Sequence, residues 1–150
     1  MAAVTVRASS GEDPTACTRA ETRALVLNFV RAFNRGESDA LDRLFAAEPD
    51  FQWYSTGAPG MRLRAAAMDR SSLVPYFLRR HDRGERLTLR RFRFMGNTDM
   101  PPLKRYGNFV FRLTRRAGDL RPTPYHGKGA AHCYAGDDAI IVWSMAMQVR

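Results

Sequence analysis

His126 and His132 have the side chains whose chemistry is easiest to test from spacing alone. On one strand they stand six residues apart, about 20 Å, so they cannot share a metal ion. His81 has no second histidine or carboxylate at helical ligand spacing and reads as the polar end of a helix. Cys17 and Cys133 are far apart with no metal-ligand spacing around them, and two such cysteines read as reduced, intracellular thiols. Ser55 and Ser144 lack a recognisable histidine partner, and the chain has no phosphate-cradling glycine loop, zinc spacing or nucleophile elbow. Neither metal nor cofactor is expected.

One strand pattern does suggest a site. Gly127, Gly129, Ala131 and Cys133 alternate on one face of a strand, and their small side chains leave room for something bulky to cross it. Trp143, Met145 and Met147 on the next strand are candidates for that bulk, and a ligand is the other. His126, Lys128, Ala130 and His132 make up the opposite face.

The elements that would position these residues begin at Thr18. Thr18 and Glu21 form a capping box, and the apolar run of Leu25, Val26, Leu27, Phe29, Val30, Ala32 and Phe33 covers more than half of the helix circumference, as a helix buried on two sides would. Gly36 ends it. Ser38 caps a short second helix carrying Leu41, Leu44 and Phe45, Pro49-Asp50 stops it, and 51–54 reads as an aromatic strand. A turn over 55–60 leads to a short strand over 61–64, and the two should form a small ribbon at one end of the sheet. Asp69 or Ser71 caps a third helix running to about His81. Strands follow over 86–95, 104–115, 125–134 and 139–149, with loops over 96–103 and 117–124 and a hairpin turn at 135–138. In 86–95 the apolar parity changes across Arg90-Arg91, which a β-bulge there would repair. Leu25, Phe29, Val30, Phe33, Leu44, Phe77, Phe92, Phe94, Phe109, Phe111, Ile141 and Trp143 are the expected core, and the sheet should be antiparallel.

Phe33-Asn34-Arg35-Gly36, then Leu41-Asp42-Arg43-Leu44-Phe45, then Asp50-Phe51-Gln52-Trp53 resembles the entry of the SnoaL-like branch of the nuclear transport factor 2-like superfamily. The order and spacing of elements continue that resemblance through nearly the whole chain after residue 18. It implies an α+β fold in which helices cover a strongly curved antiparallel sheet, a cystatin-like cone with a pocket inside. The domain would span 18–150, after a flexible tail over 1–17. The family's steroid isomerases carry a Tyr on the first helix, and its epoxide hydrolases carry carboxylates on the late strands. This first helix has no Tyr and 139–149 has no carboxylate, so neither reaction transfers. The acid/base candidates that remain are Asp99, His126 and His132, with Trp53, Tyr54, Tyr106, Gly129 and Trp143 as pocket walls. Three functions fit: a small-molecule-binding domain for an apolar or aromatic ligand, an isomerase, cyclase or dehydratase using a pocket Asp or His, and a homodimeric interaction module.

The 150 residues suit one domain, and no apolar run approaches a membrane span. Residues 1–16 lack the apolar centre of a secretory signal, so a cytoplasmic location is expected. The net charge of +9 comes from 24 basic against 15 acidic residues. The expected basic face is Arg79, Arg80, Arg83, Arg86, Arg90, Arg91 and Arg93, where a salt-sensitive affinity for anions would lie. No basic cluster with interleaved aromatics resembles a nucleic-acid module, so arginines scattered over solvated faces are the expectation, with nucleic acid not expected as a partner.

Overall fold

The computed structural model describes residues 16–47, 53–56, 70–100, 103–118, 121–134 and 137–147, with the backbone alone at 53–56, 100, 103–104 and 146–147. Helix α1 runs Arg19–Arg35, and its start is the capping box read from the sequence: Glu21 N–H donates to Thr18 Oγ1 at 3.1 Å, and Thr18 N–H donates to the Glu21 carboxylate at 2.7 Å. Gly36 ends it with φ of 66°, and the His81 ring covers it so closely that a Cβ there would come within 2.7 Å of the ring. Helix α2 is Ser38–Leu44, with Glu37 rather than Ser38 at the capping position. Helix α3 is Arg70–Asp82.

The four long strands are β2 (Glu85–Met100), β3 (Leu103–Ala117), β4 (Thr123–Tyr134) and β5 (Asp137–Met147), all paired antiparallel in chain order. The chain is therefore α+β, with helices packed on a curved four-strand antiparallel sheet. A fifth strand, β1 (Trp53–Thr56), departs from the all-antiparallel expectation by joining β5 in parallel, giving the order β1-β5-β4-β3-β2. The chain leaving α2 already runs beside β5 in that sense, since Ala46 N–H donates to the Ile140 carbonyl at 2.9 Å and β1 continues the course. Residues 61–64, expected as its ribbon partner, lie outside the described residues.

The bulge expected at Arg90-Arg91 is present: Leu89 faces Leu113 while Arg91 faces Arg112, leaving Arg90 as the extra residue. The loop expected over 96–103 is instead largely strand. Two further register shifts, one that leaves Met95 unpaired between Phe94 and Gly96 and one that leaves Lys104 unpaired between Leu103 and Arg105, keep Gly96 and Asp99 in the ladder, and β2 reaches Met100 opposite Leu103. Gly96 takes φ of 96° at the first of these shifts.

The core lies between α1 and the inner face of the sheet. Phe29 meets Trp143 at a ring-centroid distance of 4.4 Å and Phe77 at 4.9 Å. Of the expected core, Phe92 and Phe94 are only half-buried, packed against its margin.

The two cysteines, expected as free thiols, are bonded to each other at 2.00 Å. Nothing local signals the bond, because the partners are 116 residues apart and meet only when the N-terminal end of the chain docks on the sheet. Cys17, placed in the tail by sequence, is 3% exposed. Its backbone is gripped by Asn97: Cys17 N–H donates to Asn97 Oδ1 at 2.8 Å, and Asn97 Nδ2 donates to the Cys17 carbonyl at 2.9 Å. Gly107 lies beneath, where a Cβ would collide with Cys17. Cysteine usage therefore no longer argues for a reducing compartment. At its other end α1 is held the same way, since Asn34 Nδ2 donates to the Leu87 carbonyl and Leu87 N–H donates to Asn34 Oδ1, both at 2.7 Å. No helix among the described residues is long and apolar enough to cross a membrane.

Candidate functional site

The small-residue face of β4 lies where the sequence puts it, toward the core, but rings of the adjacent strand fill the space above it. Phe111 lies over Gly127 and Phe109 over Gly129, each directly opposite its glycine in the β3–β4 register. A Cβ at Gly127 would run into the Phe111 ring, and one at Gly129 would stand 2.6 Å from Phe109 Cζ. Trp143 is fully buried between Phe29 and Phe111, whose centroids are 4.4 and 4.5 Å away. The cavity expected at Gly129 and Trp143 is thus packed with aromatic carbon. Tyr106 is buried, and the side chains of Trp53 and Tyr54 lie outside the described residues.

The three acid/base candidates are not brought together. Asp99 is an exposed carboxylate paired with Arg105 at 2.8 Å, near the far end of β2. His132 is 4% exposed and stacks on Tyr134 at 4.5 Å. Near it lies Asp138, whose carboxyl is pushed above its ordinary range by burial and then by Glu21, with His132 acting the other way. His126 is half-buried on the outer face of the sheet.

Sequence reasoning missed a polar cluster at one end of the core. Glu85, 1% exposed, takes Arg80 on both carboxylate oxygens and Arg115 Nε at 2.9 Å, and Arg80 Nη1 donates to Tyr76 Oη at 2.8 Å. Tyr125 lies against both guanidiniums, their carbons 6.0 and 5.9 Å from its ring centroid. Burial pushes its phenol above the ordinary tyrosine value, with Arg115 and Arg80 opposing. Its hydroxyl has no partner among the described residues. Arg80, read from sequence as part of a solvated basic face, belongs to this buried cluster instead.

Four of that basic set, Arg86, Arg90, Arg91 and Arg93, lie on the outer face of the sheet, away from α1. Successive cross-strand rows carry Arg91, Arg112 and His126, then Arg93, Val110, Lys128 and Ser144. With Phe111 and Gly127 they line a groove of about 520 Å³ whose lining contains four permanent cations and no carboxylate. Arg91 stands directly opposite Arg112, a like-charge pair that costs the sheet stability. Arg91, Arg93, Arg112 and Lys128 have no hydrogen-bond or ion-pair partner among the described residues. The nitrogen Nε2 of His126 is buried and likewise unpartnered among them. Chemically the groove offers guanidinium forks, an ammonium, an imidazole and a hydroxyl around the Val110 side chain, the donor set of an anion site. The signal was present in the sequence as alternate positions on three separate strands, but only the register stacks them.

No family model matches the chain, and no curated protein matches it. Solved structures do. A nuclear transport factor 2-like protein of unknown function from Pseudomonas putida aligns with a TM-score of 0.67 at 9% identity, over 88% of this chain and 87% of that one. A protein of unknown function with a cystatin-like fold from Nostoc punctiforme aligns with a TM-score of 0.64 at 16% identity, over 86% and 90%. A ketosteroid isomerase-like protein from Erwinia carotovora atroseptica aligns with a TM-score of 0.56 at 12% identity, over 88% and 97%. At these identities the likeness is one of fold.

Proposed function

For a chain with the nuclear transport factor 2-like, cystatin-like cone fold, we propose that the working surface is the outer face of the sheet and that this domain binds an anionic ligand in the groove over Val110. The observation that carries the reading is the uncompensated charge: Arg91, Arg93, Arg112 and Lys128 share one concavity with His126 and Ser144, and no carboxylate enters the lining. Cations in a partly enclosed groove are screened less than those on an open surface, so an anion there gains more than at a scattered arginine. The sequence led to an apolar or aromatic ligand in the cone interior; this reading replaces it with an anionic ligand on the other face of the same sheet. A second copy closing over this face would set arginine against arginine, so an anionic occupant is favoured over a symmetric dimer there. An isomerase, cyclase or dehydratase reading would need a base beside the bound molecule, and His126 is the one that the groove offers.

The test is a thermal-shift titration with inorganic pyrophosphate at low and high salt. The melting temperature should rise with pyrophosphate, the rise should shrink with added salt, and Arg112→Gln with Lys128→Gln should remove it. No rise in the wild type, or an equal rise in the variant, would overturn the reading.

A further inference from the structure

A second hollow lies next to the groove along the same strands. Beyond the Arg90 bulge, Arg86, Arg90 and Arg116 with Thr88, Thr114, Gly84, Gly118 and Pro122 line this hollow of about 600 Å³ on the same face. Arg86 stands opposite Arg116 and Thr88 opposite Thr114, and Arg90 Nε donates to Thr114 Oγ1 at 2.9 Å. From Arg86 to Arg93 the strand covers about 20 Å. Seven cations lie along that length, and neither lining includes a carboxylate. Both like-charge pairs, Arg86 with Arg116 and Arg91 with Arg112, fall within it. A single small anion would satisfy one hollow and leave the other uncompensated.

Resting on the anion-groove reading, we infer that the natural occupant is a single-stranded nucleic acid whose phosphates run along this track. A phosphodiester chain carries a charge on every repeat and so matches closely spaced cations over the whole length. An acidic polypeptide would need an almost unbroken run of Asp and Glu. An anionic membrane calls for a protruding apolar rim, whereas here Val110 stands among the cations that line a hollow. Guanidinium forks fit phosphate oxygens, and the Thr88 and Ser144 hydroxyls are further donors of the kind that phosphates accept. Phe111 is 2% exposed and the His126 imidazole is half-buried, so neither ring offers an open platform for a base. Binding is therefore through the backbone and independent of sequence.

The experiment is fluorescence anisotropy with a twelve-thymidine oligonucleotide, a thymidine dinucleotide and polyglutamate of matched charge. The long strand should bind at least tenfold tighter than the dinucleotide. Its affinity should fall with salt at a log–log slope of about −5, as for seven phosphates neutralised on a single strand. The pair Arg90→Gln and Arg116→Gln should bring the long strand down to the dinucleotide's affinity and leave dinucleotide and pyrophosphate binding unchanged. It should also raise the melting temperature, because a like-charge contact is relieved. A long strand that binds no tighter than the dinucleotide overturns the track while the anion groove stands. Failure of both dinucleotide and pyrophosphate brings down the groove itself. Polyglutamate binding as tightly as the long strand would replace the nucleic acid with an acidic polypeptide.

Discussion

Gly129 shows how a missing side chain can belong to the core. Its hydrogen makes room for the Phe109 ring from the facing strand, and the Val142 carbonyl closes the other side at 2.7 Å from where a Cβ would stand. Neither neighbour is the loose end of a flexible chain, so Gly129→Ala should destabilise the fold by about 1–3 kcal/mol, read from urea unfolding, with no change in pyrophosphate binding. Tyr125 gives a second test at this scale. Because its hydroxyl is buried without a partner among the described residues, Tyr125→Phe should be neutral or slightly stabilising near pH 7. Its phenol is raised above the ordinary value, so the folded state holds that proton longer than the unfolded chain does. Stability from this group is complete below about pH 10 and is lost as pH rises beyond that toward the folded value. The alkaline fall in stability should therefore be shallower in Tyr125→Phe than in the wild type, as pH-dependent unfolding would record.

Among the elements, those with local signals were legible and those decided by pairing were not. Helix α1 announced itself through Thr18, Glu21 and Gly36, and the Arg90 bulge through a parity change between Leu89 and Phe92. The end of β2 was misjudged because Gly96 and Asp99 carry turn chemistry, whereas pairing with β3 carries the strand through both with register shifts. The outer groove was legible only on its β2 side, at Arg91 and Arg93, for a related reason: Arg112 and Lys128 belong to different strands, and nothing local fixes which residue of one faces which of the other. The disulfide is the extreme case, as it joins Cys17, just ahead of the Thr18 cap of α1, to the end of β4. Closing so long a loop removes much of the unfolded chain's freedom, so Cys17→Ser should cost about 3–5 kcal/mol. Chemical denaturation in the presence of reductant should erase most of the difference between variant and wild type.

For the whole molecule, the separation of a packed, aromatic inner face from a cationic outer one means that the anion binding proposed above would be steered by long-range attraction, and its rate should fall steeply with ionic strength. The same layout leaves β2 at the border of the sheet, with one row of its backbone groups turned away from β3. Asn34 answers that at Leu87, because its side-chain amide accepts from one backbone group and donates to the other as a neighbouring strand would. The amide thus acts as a plug on a template: with it in place, a β2 from another molecule finds no free donor and acceptor at Leu87. Asn34→Leu keeps the approximate volume but removes the plug, and its first effect should appear between molecules. Light scattering at rising protein concentration should show self-association in Asn34→Leu well below the temperature at which the wild type unfolds.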